Sequence, residues 1–193
     1  MAKNFSVNII SDIENMTSHK DFYHIFSKHI KARNIKYIFY FAKYWKYIPD
    51  EYFYDLYKEI MCDVKRNDYF KELFGLNIEK RIKSFNKNDT TYNTYLKEKL
   101  DEDGYLTIYR GHTDYILRNT ASWTLNKNFA HWFGKRYAIL NSQNGYYVYT
   151  AKVSLKDIFT YLNDKNEEEI VVTAKYLKSR KKEYFEFKNP LVK

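Results

Sequence analysis

Hydrophobic residues in the first half of the chain recur at the spacing of an α-helix, in which positions i, i+3, i+4 and i+7 share one face. Three such stripes follow one another: Phe22, Ile25, Phe26, His29 and Ile30; then Ile35, Ile38, Phe39, Ala42 and Trp45; then Phe53, Leu56, Tyr57, Ile60, Met61 and Val64. Arg33 and Asn34 mark the first break. Pro49 marks the second, because proline lacks a backbone donor and disfavours the helical conformation of the residue before it.

Weaker helical patterns continue to about Lys99. A short helix over residues 69–74 is expected to end at Gly75, since glycine is common just after a helix. Two further amphipathic segments follow, with hydrophobic positions at Ile78, Ile82 and Phe85 and then at Tyr92, Tyr95, Leu96 and Leu100. We therefore predict a helical lobe over the first hundred residues.

The period changes after residues 101–104, which have the composition of a turn. Short runs rich in aromatic and β-branched residues, bounded by Gly, Asn, Asp or Ser, are typical of strands. Such runs cover residues 105–110, 146–153, 168–173 and 184–188. The second half of the chain is therefore predicted to contain a sheet.

One helix is expected to interrupt these strands. Asn126 can cap its start, and Gly134 or Arg136 is expected to end it. Its predicted buried face consists of Phe129, Ala130, Trp132 and Phe133. A shorter helical turn is expected over residues 155–162.

The combined pattern predicts an α+β fold. Residues 1–103 form a helical lobe, and residues 104–193 form a lobe built on an antiparallel or mixed sheet. At 193 residues the chain is long enough to bury a core as one domain, or as one compact domain with a smaller lobe.

Composition narrows the class of protein. Hydrophobic residues make up 45% of the chain and aromatic residues 20%, which excludes a disordered tail. The formal net charge of +9 favours acidic partners, nucleic acid among them. The basic run at residues 178–182 is interpreted as a solvated face, so a dedicated nucleic-acid arm is not indicated.

Other features of the sequence argue against several classes of site. Cys62 is the single cysteine, so no intrachain disulfide can form, which suits a reducing cytosol. The five histidines show no zinc-binding spacing, and no P-loop or Gly-x-Gly-x-x-Gly turn is present. No apolar run approaches the roughly 18 residues that a membrane span needs. We expect a soluble, cytoplasmic protein without a metal.

Candidate chemistry lies at the edges of the predicted strands. Arg110 ends the first strand, and an arginine there offers a rigid fork of donors to phosphate or carboxylate. Ser122 and Thr124 alternate with Trp123 and are expected to share one face of a strand. Residues 167–169 are three consecutive glutamates directly before Ile170.

Together these features resemble the Arg, Ser-x-Thr and Glu-x-Glu motif series of ADP-ribosyltransferases, which include many bacterial and phage-encoded members. The resemblance covers about residues 105–175. Its most specific part is Ser122-Trp123-Thr124 with the helix that follows. It implies an ADP-ribosyltransferase-like mixed sheet, with NAD as substrate and no metal.

The resemblance also implies a role for each residue. Arg110, next to Gly111, would neutralise the NAD pyrophosphate. Ser122 would hydrogen-bond to the catalytic carboxylate, and Thr124 would support the strand or the ligand. Phe129 or Phe133, or Trp132 between them, could stack on nicotinamide.

Glu169 is the expected catalytic carboxylate, and Glu167 resembles the residue that activates the acceptor in arginine-modifying members. A shift by one residue would instead make Glu168 catalytic, with Asn166 two positions before it. In that case the inference about the acceptor fails.

The expected function is therefore NAD-dependent mono-ADP-ribosylation of a cytosolic protein, on an Arg or Asn side chain, with the helical lobe recognising the target or covering the NAD cleft. A phage or mobile-element effector that acts in the host cytosol fits by analogy alone. Two alternatives are an NAD glycohydrolase that uses the same site, and a non-enzymatic nucleic-acid or protein-binding module that uses the basic charge and exposed tyrosines.

Overall fold

The computed structural model describes residues 2–29, 37–63, 78–86, 90–113, 121–163 and 166–191. The chain divides into two compact units, Met1–Glu79 and Lys80–Lys193. The fold is α+β, with helices first and a sheet in the second unit. The predicted functional division at residue 103 stays a prediction.

The first unit is helical and has an aromatic core. Its helices are α1 (Ala2–Glu14), α2 (Asp21–His29), α3 (Tyr37–Tyr44) and α4 (Asp50–Asp63), and α5 (Ile78–Asn86) begins at its end. Ring packing joins α2 to α3 and α3 to α4: the Phe22 and Phe41 centroids are 6.3 Å apart, and those of Phe41 and Phe53 are 5.6 Å apart. Such ring pairs add to the stabilisation that burial of their area provides.

The hydrophobic stripes predicted this unit with two errors. Phe39 was assigned to the buried face of α3 but is 41% exposed, whereas Phe41 is fully buried. Helix α1 was not predicted, although Ile9 and Ile13 are buried. The break at Pro49 is confirmed, since α4 starts at Asp50. Several predicted features lie outside the described residues: Ile30, the break at Arg33 and Asn34, Ile35, Val64, the helix over 69–74 and Gly75.

The second unit contains the sheet. Its elements are the rest of α5, α6 (Thr90–Glu98), β1 (Leu106–His112), β2 (Ser122–Thr124), α7 (Lys127–Leu140), β3 (Gly145–Val153), β4 (Thr160–Leu162), β5 (Glu169–Val171) and β6 (Lys178–Glu186). Among the described residues the strand order is β4-β5-β2-β1-β3-β6, and every neighbouring pair is antiparallel. The sheet is thus antiparallel and not mixed.

The two faces of the sheet pack against different partners. On one face, Ile108, Trp123 and Ile170 belong to a buried cluster that includes Leu96 of α6. On the other, Val148 and Tyr146 of β3 pack with Ala130 and other residues of α7. Because side chains alternate along a strand, each sheet strand contributes to both faces.

Helix α7 differs from its prediction in length and in its buried face. It continues through Gly134 to Leu140, and its buried residues are small: Ala130, Gly134 and Ala138. Trp132, expected to be buried, is 48% exposed. Only small residues fit here because the backbones of α7 and β1 lie close together. A Cβ built on Gly111 of β1 would lie 1.7 Å from the Ala130 carbonyl oxygen of α7.

Two predicted elements near the end of the chain also differ. The helical turn expected over residues 155–162 is a 3-10 turn, Leu155–Asp157, followed by strand β4. The last strand begins at Lys178, not at Tyr184, so the basic run lies within β6 and is fully exposed, as expected for a solvated face.

We expect Gly111→Ala to destabilise the protein by about 3 kcal/mol, since overpacking against rigid backbone typically costs ~1–3 kcal/mol and the contact here is severe. Chemical denaturation measures this loss. Gly134→Ala is the matched control and should cost less: the obstructing atoms belong to the Tyr146 ring, and alanine gains about 1 kcal/mol of helix propensity. An equal or reversed order would contradict the close approach of α7 to β1.

Candidate functional site

The sheet places the strands that carry the predicted site residues side by side, in the order β5-β2-β1. Thr124 of β2 pairs with Glu169 of β5 and also with Tyr109 of β1. Ser122 pairs with Val171, two positions along β5 from Glu169. Segments far apart in sequence therefore meet on adjacent strands, with β2 in the middle.

Alternation along these strands assigns the residues to two faces. Trp123 and Ile170 point into the cluster with α6, so their neighbours Ser122, Thr124 and Glu169 project from the opposite face. Arg110 lies two residues after Ile108 on β1, so its side chain leaves the sheet on the same face as that cluster. The predicted constellation thus draws on both faces of the sheet.

The long side chain of Arg110 nevertheless links β1 to β2. It is 7% exposed, and its Nη1 donates a hydrogen bond to the Ser122 carbonyl oxygen. Burial lowers the pKa of Arg110, while the negative charge of Glu169 acts in the opposite direction. The guanidinium and the Glu169 carboxylate are therefore close enough to interact electrostatically.

One donor of this buried guanidinium is not satisfied. Arg110 Nε has no hydrogen-bond partner among the described residues. A buried polar group left without a partner costs free energy, so the arrangement suits an acceptor that arrives with a ligand. An anionic oxygen, as in a phosphate or carboxylate, is the acceptor that a guanidinium binds best.

Thr124 has a supporting position. It is 4% exposed, and its hydroxyl donates to the Glu167 carbonyl oxygen at 2.6 Å. The Thr124 hydroxyl oxygen also accepts a hydrogen bond from the Asn126 backbone N–H at 3.0 Å, and the Asn126 side chain caps α7 by accepting from the Asn128 N–H at 2.9 Å. One hydroxyl thus joins β2, the segment before β5 and the start of α7.

The glutamates at 167–169 occupy different environments. Glu168 has a positive φ of 47°, and its backbone N–H donates to Asn163 Oδ1 at 3.1 Å. Its carboxylate accepts a hydrogen bond from the Tyr95 hydroxyl on α6, and this bond raises the pKa of Tyr95. Regular strand geometry starts at Glu169. This arrangement favours Glu169 over Glu168 as the carboxylate beside β2.

Phe129, Trp132 and Phe133 are not among the buried residues with which α7 meets the sheet. Phe129 and Phe133 are partly buried, and Trp132 packs edge-on against Phe133 with centroids 4.9 Å apart. The Arg136 guanidinium lies 5.2 Å from the Trp132 ring centre. These rings are therefore available for contact with a ligand or partner, which is the role that the resemblance gives to Phe129 and Phe133.

Two residues of this region were not identified from the sequence as site residues. Tyr95 was assigned only to a weak helical stripe, yet it binds Glu168 across 73 residues of sequence. Tyr137 lies near the Arg110 guanidinium, and its ring lies 4.6 Å from that of His112. No local pattern marks either contact, because both depend on how α6 and α7 pack.

Comparisons with protein-family profiles, curated proteins and solved structures found no match to this chain. Within the described residues, no three His, Cys, Asp or Glu side chains gather in a way that could hold a metal ion. No helix in that part of the chain has the length and apolar character needed to cross a membrane.

We expect Tyr95→Phe to destabilise the protein by about 1–2 kcal/mol, because a hydrogen bond to a charged group is lost. A double-mutant cycle with Glu168→Gln, measured by chemical denaturation, isolates the pair. If the bond contributes as described, the two single losses do not add in the double variant. Strict additivity would contradict a Tyr95–Glu168 interaction.

Proposed function

We propose that the protein is an NAD-dependent mono-ADP-ribosyltransferase that modifies a protein. The observation that carries this proposal is the strand order β5-β2-β1, which brings Glu169, Ser122 and Arg110 to neighbouring strands. These are the residues whose motifs resemble those of ADP-ribosyltransferases. Arg110 leaves β1 on the opposite face of the sheet from Ser122 and Glu169, but its guanidinium reaches the backbone of β2 at Ser122, which supports a shared site.

In the proposed reaction, the bond between the nicotinamide nitrogen and ribose C1′ of NAD breaks, and nicotinamide leaves with the bonding electrons. An acceptor atom then bonds to C1′ and loses a proton. The transition state resembles an oxocarbenium ion, so a nearby carboxylate stabilises the developing positive charge. Glu169 is proposed to do this, and Ser122 is proposed to orient it.

Arg110 is proposed to bind the NAD pyrophosphate. Its guanidinium is buried and fixed by the Ser122 carbonyl, so little side-chain freedom would be lost on binding. Its Nε retains an unused donor among the described residues. An anionic ligand would satisfy that donor and compensate for the burial of the charge.

The acceptor is proposed to be a side chain of a cytosolic protein, with arginine or asparagine as candidates. Glu167 precedes Glu169 by two residues and would align a guanidinium for attack. Its backbone is held in place by the hydroxyl of Thr124. Action by a phage or mobile element on a host or defence factor would be consistent with the resemblance by analogy.

Glu169→Gln keeps the shape of the side chain and removes its charge. We expect it to lower the rate of ADP-ribose transfer by on the order of a hundredfold or more, since such electrostatic stabilisation is a large part of catalysis. Transfer of label from radioactive NAD to lysate proteins measures the rate. Glu168→Gln, the same chemical change one residue earlier, should keep activity within about tenfold; the opposite result would make Glu168 catalytic.

The same assay separates transfer from hydrolysis. Both activities release nicotinamide, but a transferase leaves label on macromolecules, whereas an NAD glycohydrolase leaves the label in free ADP-ribose. Mass spectrometry of the labelled proteins then identifies the acceptor side chain. Absence of both label and nicotinamide release by the folded protein would contradict the proposal.

Arg110→Lys keeps the positive charge and removes the planar fork. We expect it to raise the KM for NAD by on the order of tenfold with a smaller change in kcat, because a lysine cannot reproduce the paired bonds to a phosphate. Steady-state kinetics over a range of NAD concentrations measures both constants. Circular dichroism checks that the variant is folded. An unchanged KM would argue against a pyrophosphate role for Arg110.

A further inference from the structure

Strand β6 is the outermost strand of the described sheet and is exposed along almost its whole length. Five basic and two acidic residues lie between residues 178 and 188. Edge strands often carry lysines that discourage pairing with another chain. Charge alone therefore does not identify a binding surface here.

The second observation is the position of Tyr184. Its ring passes across Gly145 of β3, because a Cβ built on Gly145 would lie 2.0 Å from the Tyr184 hydroxyl oxygen. The side chain is nevertheless 53% exposed. A ring that rests on glycine backbone and is half exposed presents an aromatic surface to the solvent.

Tyr147 enlarges this surface. It pairs with Tyr184 across β3 and β6, and their ring centroids are 5.1 Å apart. The Lys182 ammonium lies 5.3 Å from the centre of the Tyr147 ring, and Lys182 is exposed. By strand alternation Lys182 and Tyr184 share one face of β6, so aromatic rings and a cation are combined on that face.

The acidic residue between them does not cancel this charge. Glu183 alternates to the other face of β6, where its carboxylate lies 3.9 Å from the Lys127 ammonium of α7. Arg180 and Lys181 precede Lys182 on the same exposed strand. By the same alternation Glu186 lies on the aromatic face beyond Tyr184, so basic charge borders the Tyr184 ring on the Lys182 side.

We propose that this face, formed by Tyr147, Lys182 and Tyr184, binds single-stranded nucleic acid. Unpaired bases would stack on the Tyr184 ring, and Lys182 with its basic neighbours would contact the phosphates. A nucleic-acid duplex is a poorer ligand because its bases are stacked inside and cannot reach the Tyr184 ring. An acidic peptide would use the lysines but would leave the exposed aromatic rings without a partner. The net charge of +9 supports association with a polyanion. The proposal does not depend on any NAD chemistry.

Fluorescence anisotropy of a labelled mixed-sequence single-stranded DNA, in the absence of NAD, tests the proposal on the full chain. Tyr184→Leu keeps an apolar cover over Gly145 and removes the stacking surface, and we expect it to weaken binding by on the order of tenfold. Tyr184→Phe keeps the ring and should bind like the unmodified protein. Thermal unfolding verifies that each variant is folded.

Charge is tested with a matched pair of exposed lysines. Lys182→Glu should weaken binding and reduce its dependence on salt, because a phosphate contact is lost. Lys156→Glu makes the same charge change in the 3-10 turn just before β4, the strand at the opposite edge of the sheet, and should have a clearly smaller effect.

Three results would each overturn the proposal: no binding of the oligonucleotide at low salt, equal losses in Lys182→Glu and Lys156→Glu, or binding by Tyr184→Leu that equals binding by Tyr184→Phe. Displacement of the oligonucleotide by polyglutamate as readily as by unlabelled oligonucleotide would also overturn it, in favour of an acidic protein partner. Stronger competition by single-stranded RNA than by DNA would support it and identify the preferred strand.

Discussion

The candidate site depends on the pairing of one short strand with two neighbours. Strand β2 has three residues, and it lies between β1 and β5. Thr124 of β2 pairs with Tyr109 of β1 and with Glu169 of β5, and these pairs fix the register of both neighbouring strands. So short a strand supplies few ladder hydrogen bonds, and the side chains around it reinforce the pairing. Thr124 and Arg110 provide this reinforcement, one through its hydroxyl and the other through its guanidinium.

Close packing of α7 on β1 is a second constraint on the same region. Gly111 lies against the Ala130 carbonyl and the Gly134 backbone, so the helix approaches the strand without an intervening side chain. The buried residues of α7 are small, and the rings of Phe129, Trp132 and Phe133 stay partly or largely exposed. The position of these rings is thus a consequence of how closely the two backbones meet.

The sequence predicted those features that depend on local patterns. Periodicity identified the helices around Pro49, and Asn126 was identified as a cap because capping involves only the next two residues. Alternation correctly separated Trp123 from its two neighbours. Strand β4 and the extent of α7 were missed. Their stability comes from tertiary contacts, which can override the local signals of a glycine or a short mixed run.

The candidate residues themselves were predictable through motif resemblance, but their connections were not. The bond between Tyr95 and Glu168 spans 73 residues, and the one between Thr124 and Glu167 spans 43. Such contacts leave no trace in the spacing of residue types.

Arg110 binds the backbone of residue 122 and not its hydroxyl group. The anchor between β1 and β2 is therefore indifferent to the identity of that side chain, and any amino acid would present the same carbonyl oxygen. The backbone of residue 122 thus holds β1 and β2 together, while its side chain has no part in that attachment. The serine could therefore be exchanged while this anchor and the architecture around it persisted.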